Sequence, residues 1–398
     1  MHRSDVPDGT ALDAHMVRFR FGDGVLADLP DVLDEFGVER PVVITDEGIE
    51  AAGILDRVLD ELDRPVEIHY ATTEPSTADF EDIPVDADGF FAVGGGSCID
   101  TAKLAAALAA HGGSAREYLG VDRVPGPITP LLAVPTTSGT GSQATQTAVL
   151  THEGVKRGAS DESLRPDIAL VDPTLTFDLP PEQTARSGFD AFVHALESLL
   201  ARDYRTVPER PITYQGANPI SRSLAKRALA LVHGSLEAAV ASGDPAARRE
   251  LSLGSHLAGA AFSLSGLGAV HALASTLGGL TDRPHGACLA ASVGVGLAYN
   301  RPDREAEYAE IARSFGVNEQ DGRDNGSDPA TSAEDLLAEC DRLRSAIGLP
   351  GSFTAVGLDR SGTDEIVANT LLQERRLATN PRTVSEADLR ETVLAAFE

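Results

Sequence analysis

Short apolar runs alternate with longer amphipathic stretches through the first half of the chain. The runs predict strands at 42–45, 66–70, 90–93, 131–134 and 168–171. The stretches 49–62 and 98–111 between them have helical spacing. Apolar strands that alternate with helices are typical of a parallel sheet with crossover helices, which predicts an α/β domain. An amino-terminal ribbon, Val17–Phe21, is expected to add a strand pair.

The pattern changes near Asp172–Pro181, where prolines interrupt the chain and suit the start of a helix. Beyond this point helical spacing predominates. It predicts helices at 182–202, 218–241, 246–264, 268–280, 286–299, 303–316, 333–346 and 387–397. Two irregular stretches, 205–217 and 318–330, are predicted to be surface loops. We therefore expect an α/β domain at 1–180 and an all-α domain at 181–398.

Acidic residues outnumber basic ones, with 61 Asp and Glu against 33 Lys and Arg and a net charge of −28. The acids are spread along the chain, which disfavours an acidic interaction tail. Together with the scarcity of lysine, this favours the hydrated surface of a halophilic protein over that of a merely acidic mesophilic enzyme. Such a surface would repel nucleic acid and anionic membranes, so neither is an expected partner.

Cysteine usage and hydropathy favour a cytoplasmic protein. Cys98, Cys288 and Cys340 are widely separated, which predicts reduced thiols. The first residues lack the apolar core of an export signal, and no apolar run is long enough to span a membrane.

A glycine-rich segment follows the predicted strand at 90–93. Gly94, Gly95, Gly96 and Ser97 lead into a helix that carries Asp100. A strand that ends at glycines and continues into a helix amino terminus forms an anion pocket, because glycine lets the backbone approach the ligand. The pattern predicts a phosphate-binding loop, although a plain tight turn would have the same composition.

A second loop of small residues, 135–142, follows the next predicted strand and contains Thr136, Thr137 and Thr140. A solvated turn is its alternative interpretation. Two such loops at successive strand ends lie where doubly wound sheets bind ligands. Asp46, which follows the strand at 42–45, could accept hydrogen bonds from a ribose and repel a 2′-phosphate, favouring NAD over NADP. It could instead cap the next helix.

Four further residues could bind a metal. Asp190 and His194 are four residues apart, so they share one face of a predicted helix. His271 and His285 supply two more imidazoles. One carboxylate with three imidazoles suits a divalent cation. A single histidine is more often an ordinary core or surface residue, so the interpretation depends on the surrounding sequence.

These segments, in this order, resemble the iron-containing (group III) alcohol dehydrogenases. The matching motifs are Gly94–Ser97 with Asp100 and Lys103, then Pro135–Ser142, Asp172–Pro173, Asp190–Glu197, His271–Leu273 and Pro284–Gly286. The resemblance extends from about Phe21 to the last helix. It implies an α/β, Rossmann-like dinucleotide-binding domain, an all-α carboxyl-terminal metal-binding domain, and an active site in the cleft between them.

The resemblance also implies ligands and assembly. The metal ligands would be Asp190, His194, His271 and His285. The cofactor-binding residues would be Asp46, Gly94, Gly95, Gly96, Ser97, Asp100, Thr136, Thr137, Thr140, Thr145 and Lys156. Lys156 would approach the cofactor ribose, although a plain surface charge is its alternative. Iron(II) is the expected metal, with zinc(II) or manganese(II) also compatible with this ligand set. A homodimer is the expected assembly.

Two positions depart from the family pattern. Many members have a second histidine four residues after the third ligand, where this chain has Ser275. A serine could relay a proton through its hydroxyl or a water, but its pKa cannot match that of histidine. Gln143 stands where the family usually has glutamate. Both departures concern substrate choice and turnover rather than the metal.

The expected function is metal-dependent interconversion of an alcohol and its aldehyde or ketone by hydride transfer with NAD. The alternatives are a maleylacetate-reductase-like enzyme, a lyase or polyol dehydrogenase of the same superfamily, and a catalytically silent dinucleotide-binding protein. An anionic substrate is disfavoured at this point, because Arg283 is the only Lys or Arg between His271 and Gly286.

Overall fold

The computed structural model describes residues 12–207, 213–316 and 329–397. Its larger sheet has six parallel strands. They are β1 (Arg18–Phe21), β2 (Pro41–Thr45), β3 (Glu67–Tyr70), β4 (Gly89–Gly94), β6 (Leu131–Pro135) and β9 (Ile168–Val171). Their order across the sheet is β1-β9-β6-β4-β2-β3. Buried branched and aromatic side chains fill β2, β4, β6 and β9, as expected for strands covered on both faces.

Four helices belong to the same part of the chain as this sheet. They are α1 (Leu29–Glu35), the short α2 (Glu47–Ala51), α3 (Ile54–Asp60) and α4 (Gly96–His111). The continuous helix predicted at 49–62 is interrupted, because Gly53 has a left-handed backbone with a φ of 69°. The predicted strand pair at Val17–Phe21 is also wrong. This segment is the single edge strand β1, and it pairs in parallel with β9.

A smaller sheet was missed by the sequence analysis. It contains β5 (Gly120–Val121), β7 (Thr147–His152) and β8 (Val155–Ser160), with β7 and β8 joined as an antiparallel hairpin. Both residues of its turn, Glu153 and Gly154, have positive φ, which is the backbone of the tight turns that join two strands. Gly120 and Val121 of β5, with Lys156 and Arg157 of β8, line the cleft described below.

Helices form the remainder of the described chain. They are α5 (Pro181–Leu200), α6 (Pro219–Ala241), α7 (Pro245–Ser265), α8 (Ala269–Thr281), α9 (His285–Asn300), α10 (Glu305–Ser314), α11 (Pro329–Ala346), α12 (Thr363–Leu371), α13 (Glu374–Leu377) and α14 (Glu386–Ala395). All eight predicted helices are present, and α12 and α13 were not predicted. Parts of both predicted loops, residues 208–212 and 318–328, lie outside the described residues.

Helix α5 is the central element of the helical region. Phe189, Phe192 and Leu196 are spaced three and four apart and belong to its main hydrophobic core. Every residue from Gly188 to Leu200 is buried, including the polar side chains of Asp190, His194 and Glu197. Burying a polar side chain costs free energy unless it has a hydrogen-bonding or ionic partner. Asp190, His194 and Glu197 must therefore each have such a partner.

In the described parts of the chain, no single helix is long and apolar enough to cross a membrane. The pair α7 and α8 meets that criterion together by length and composition, with a bend of 103° between the two helices.

A buried histidine in α7 makes stability sensitive to acid. Burial lowers the pKa of His256 to about 4, and its ring lies 4.1 Å from that of Phe19. Between pH 6.5 and pH 4 the unfolded chain binds a proton at this residue that the folded chain does not. Folding stability should therefore fall in this range as the pH falls, by about 3 kcal/mol for this residue.

We expect His256→Leu to remove that part of the acid dependence. Urea unfolding measured at pH 7 and pH 4.5 would test this, with exposed His111→Leu as the matched control. An unchanged difference in unfolding free energy between the two pH values would contradict the assignment to His256.

Candidate metal and cofactor site

Three imidazoles converge on one carboxylate oxygen in the helical region. Oδ1 of Asp190 lies 3.3 Å from Nε2 of His271, 3.6 Å from Nε2 of His194 and 3.8 Å from Nε2 of His285. Asp190 and His194 come from α5, His271 from the first turn of α8, and His285 from the start of α9. The four residues predicted as metal ligands are thus brought together from three helices.

These distances suit a single ion. Ligand bonds of about 2.0–2.2 Å in a tetrahedral arrangement place ligand atoms about 3.3–3.6 Å apart. Ligand atoms of Asp190, His271 and His285 all lie within 4.8 Å of one another. The ring of His194 stacks on that of His271, with centroids 4.5 Å apart. Asp190, His271 and His285 could therefore share one cation with little movement, whereas His194, which lies outside this group, would have to move closer to bind it.

The protonation states of Asp190, His194 and His285 also suit a metal. Burial lowers the pKa of His194 to about 3 and that of His285 to about 4, so both imidazoles are neutral near pH 7. Burial raises the pKa of the Asp190 carboxyl, but the three histidines outweigh this and hold it well below its usual range. A carboxylate and neutral imidazoles are the forms that bind divalent cations.

Glu197 fixes the orientation of His271. Its Oε2 lies 2.6 Å from Nδ1 of His271, which leaves Nε2 facing Asp190. A carboxylate on the second nitrogen of a metal-binding histidine sets its tautomer and raises its basicity. The pKa of His271 is lowered by burial, but hydrogen bonds to Asp190 and Glu197 outweigh this and raise it. Glu197 therefore belongs to the site, a role the sequence analysis did not assign.

The same carboxylate holds the amino terminus of α8. Glu197 accepts hydrogen bonds from the backbone N–H groups of Gly268, Val270 and His271, at 3.1, 2.8 and 3.3 Å. Asn380 accepts the intervening N–H of Ala269 at 2.9 Å. A helix amino terminus needs such acceptors, and here two distant residues supply them. The first turn of α8, with His271 in it, is thereby fixed to α5.

The two predicted cofactor loops meet at one edge of the sheet. Strands β2, β4 and β6 are neighbours and parallel, so the segments that follow them lie side by side. These segments contain Asp46, the glycine loop 94–97 and the loop 136–142. A Cβ on Gly96 would lie 2.9 Å from Cγ2 of Thr140, so the close packing of the two loops requires glycine there.

A buried lysine organises the second loop. Lys103 is fully buried, and its ammonium donates to Oγ of Ser142 at 3.0 Å, Oγ1 of Thr145 at 3.1 Å and the carbonyl of Thr147 at 2.7 Å. The oxygens of Asp100 accept from Ser142 Oγ and from the backbone N–H of Val149. The polar atoms of Asp100 and Thr145, both predicted to bind cofactor, are thus bound by the protein itself.

Comparison with known proteins identifies the family and the fold. A family model described as iron-containing alcohol dehydrogenase matches residues 17–173, and a model of the carboxyl-terminal part of that family matches 184–397. The chain belongs to the iron-containing alcohol dehydrogenase family. It is therefore an oxidoreductase of the alcohol dehydrogenase type, and the comparisons do not favour the lyase, maleylacetate reductase or silent alternatives.

Individual relatives cover nearly the whole chain. The long-chain-alcohol dehydrogenase 1 of Geobacillus thermodenitrificans is 34% identical over 94% of each chain. The NAD-dependent methanol dehydrogenase of Bacillus methanolicus is 30% identical over 94% of this chain and 97% of its own. The structure of an alcohol dehydrogenase from Oenococcus oeni has a TM-score of 0.89 at 30% identity, covering 97% of this chain and all of that one.

The structure also gives the surroundings of the other residues predicted to bind the cofactor or relay a proton. Asp46 caps α2 by accepting the N–H of Ile49 at 2.9 Å, and it also accepts from the thiol of Cys98. Oγ1 of Thr136 is buried without a hydrogen-bond partner in the described structure. Ser275 lies one helical turn after His271 on α8 and lines a cleft of about 1290 Å³, as does Lys156. Lys156 forms an ion pair with Glu74 at 2.7 Å.

Replacing Glu197 by glutamine should weaken metal binding. Glu197→Gln keeps the shape of the side chain but removes the charge beside Nδ1 of His271. We expect metal affinity to fall about 10- to 100-fold, the usual effect of removing such a partner. Titration with a competing chelator would measure this. Glu182→Gln, an exposed carboxyl on the same helix, is the control. Equal metal affinity in Glu197→Gln and the parent protein would contradict the role.

Proposed function

We propose that this chain is an NAD-dependent, iron(II)-containing alcohol dehydrogenase whose metal is held by Asp190, His194, His271 and His285. The observation that carries this proposal is the convergence of three imidazole Nε2 atoms on one oxygen of Asp190. The donor set also accepts zinc(II) or manganese(II), because nitrogen and carboxylate ligands alone do not select among these ions.

When bound, the metal would polarise the substrate oxygen, and the nicotinamide would exchange a hydride with the substrate carbon. The protein's own residues hold and orient these groups. The backbone of Gly94–Ser97, at the start of α4, suits the cofactor phosphates. Glu197 holds His271 in place. Ser275, which lines the cleft one turn after His271, would pass a proton between the substrate oxygen and solvent.

The ribose proposal for Asp46 predicts a change of cofactor preference. Asp46→Ser retains a side-chain oxygen to cap α2 but removes the charge that would repel a 2′-phosphate. We expect the ratio of kcat/KM for NADP to that for NAD to rise about 10-fold. Glu47→Gln, the neighbouring residue in the first turn of α2, is the control. An unchanged ratio in Asp46→Ser would assign this residue to capping alone.

The activity itself is tested with metal-depleted protein reloaded with iron(II), zinc(II) or manganese(II). Absorbance at 340 nm is followed with NAD and a panel of primary alcohols, diols and hydroxy acids in molar salt. We expect metal-dependent reduction of NAD, highest with iron(II). Absence of any metal-dependent change with the whole panel would overturn the proposal.

We further propose a homodimer located in the cytoplasm and adapted to high salt, with domains at 1–180 and 181–398. The salt proposal is supported by the net charge of −28 and the three lysines in the whole chain. The domain division is supported by the last sheet strand, which ends at Val171, and by α5, which begins at Pro181. Light scattering and activity measured from dilute buffer to molar salt would test the assembly and the salt adaptation.

A further inference from the structure

The cleft that contains Ser275 is unexpectedly basic for so acidic a protein. Arg202, Arg375 and Arg376 line it together with Lys156. Arg202 follows the end of α5, and the other two belong to α13, so residues far apart in the sequence supply the charge. The sequence disfavoured an anionic substrate because Arg283 is the only Lys or Arg between His271 and Gly286, but basic residues from other segments also line this cleft.

These three arginines have no carboxylate partner within ion-pair distance among the residues that the structure describes. Arg202 donates to the carbonyl of Asn380 at 3.2 Å and to Oγ1 of Thr383 at 3.0 Å. Arg375 donates to Oγ1 of Thr147 and to the hydroxyl of Tyr214, at 3.1 and 3.2 Å. Arg376 donates to Oε1 of Gln373 at 2.7 Å. Their contacts are all with neutral acceptors.

Many arginines elsewhere in this protein are paired with acids. Examples are Arg18 with Glu35, Arg249 with Asp23 and Arg390 with Asp364. Acids that line the cleft do not neutralise the three arginines. Glu74 is paired with Lys156, and Asp282 and Glu374 are exposed. Buried carboxylates act on two of the arginines from beyond ion-pair distance, Asp100 on Arg375 and both Asp190 and Glu197 on Arg376. Because no carboxylate of the described residues bonds the three guanidinium groups directly, they suit an anion from solution.

The cleft adjoins helix α8, which carries His271. Ser275, one turn after His271, lines it. Arg202 donates to the carbonyl of Asn380, whose side chain accepts the N–H of Ala269 at the start of the same helix. Burial and the neighbouring Arg375 lower the pKa of Arg376 to about 10, so it remains charged at neutral pH. Neither the glycine loop 94–97, predicted to hold the cofactor phosphates, nor the four predicted metal ligands line this cleft. Lys156, predicted to approach the cofactor ribose, does line it.

We infer that the preferred substrate is an alcohol, or its aldehyde, that carries a carboxylate or sulfonate away from the reacting carbon. Arg376 binds that anion, with Arg202 and Arg375 adding to the positive field. Guanidinium groups suit these oxyanions because they donate two parallel hydrogen bonds. The inference rests on the proposed dehydrogenase function and specifies its substrate class.

The test compares ω-hydroxycarboxylates with n-alkanols of the same chain length, using the metal-loaded enzyme and NAD. We expect kcat/KM to be at least about 10-fold higher for the hydroxycarboxylates. In Arg376→Gln this value should fall about 30- to 100-fold for hydroxycarboxylates, mainly through KM, and less than about 3-fold for alkanols. Arg376→Lys should recover part of the loss.

Arg227→Gln, an exposed arginine on α6 outside the cleft, is the control and should change neither substrate series. If Arg376→Gln does not fold, Arg202→Gln gives the same comparison with a smaller expected loss. Equal losses for both series, or a raised KM for NAD, would assign the arginines to the cofactor or to stability and overturn the inference. An enzyme active on alkanols without preference for the anion would also overturn it. Inactivity with both series would instead count against the dehydrogenase function.

Discussion

Replacing His271 by alanine is expected to remove the metal and lower kcat/KM by about 10³-fold or more. His271 links the two carboxylates of the site, since Nε2 faces Asp190 and Nδ1 faces Glu197. Its removal leaves three ligands and no longer holds Glu197 in place. Polarisation by a metal is worth several kcal/mol in the transition state, and 1.4 kcal/mol corresponds to a factor of ten. Elemental analysis and steady-state kinetics would measure both effects.

Ser275→Ala is the matched control for this experiment, because it changes the same face of α8 one turn away. It should keep its metal and show a smaller loss of turnover. Far-UV circular dichroism and a melting curve of His271→Ala would separate loss of the ion from loss of the fold. A folded His271→Ala protein that retains one tightly bound metal per chain would refute the proposed ligand set.

Replacing Lys103 by methionine is expected to destabilise the protein by about 3–5 kcal/mol. Methionine matches the length of the lysine chain but leaves Ser142, Thr145 and the carbonyl of Thr147 without their donor. It also leaves Asp100 buried without the ammonium that lies 3.8 Å away. Removing one partner of a buried charge pair is costly because the remaining charge is uncompensated. Urea unfolding would measure the loss.

Lys226→Met provides the control. Lys226 pairs with Glu310, but both side chains are more than half exposed, so a loss of about 1 kcal/mol or less is expected. The double variant Asp100→Asn/Lys103→Met should recover part of the stability by removing the isolated carboxylate. Equal unfolding free energies for Lys103→Met and Lys226→Met would show that the buried ammonium does not hold the loop.

The sequence was most informative where one local pattern determines one element. Apolar runs such as 131–134 predicted buried parallel strands, and the helical spacing of 182–202 predicted α5. The hairpin of β7 and β8 was missed because β8 carries Lys156, Arg157 and Gly158 instead of an apolar run. Helix α13 is too short for a periodic pattern to show.

The parts of the site that lie within one local motif could be predicted from the sequence, and the parts that depend on distant contacts could not. The pair Asp190 and His194 shares a helix face, so its geometry follows from spacing alone. The role of Glu197 does not, because its acceptor function depends on how α8 meets α5. The basic cleft depends on contacts between residues that are more than 170 positions apart, such as Arg202 and Asn380. No periodicity in the sequence reports such contacts.

The scarcity of lysine has a practical consequence for chemistry on this protein. Lys103 is fully buried, and Lys156 forms an ion pair with Glu74 at the edge of the cleft. Lys226, with 58% of its side chain exposed, is the accessible amine among the three, and it lies on a helix that does not line the cleft. Coupling of a support or a dye to lysine side chains should therefore attach the enzyme mainly through α6 and leave the cleft open to solvent.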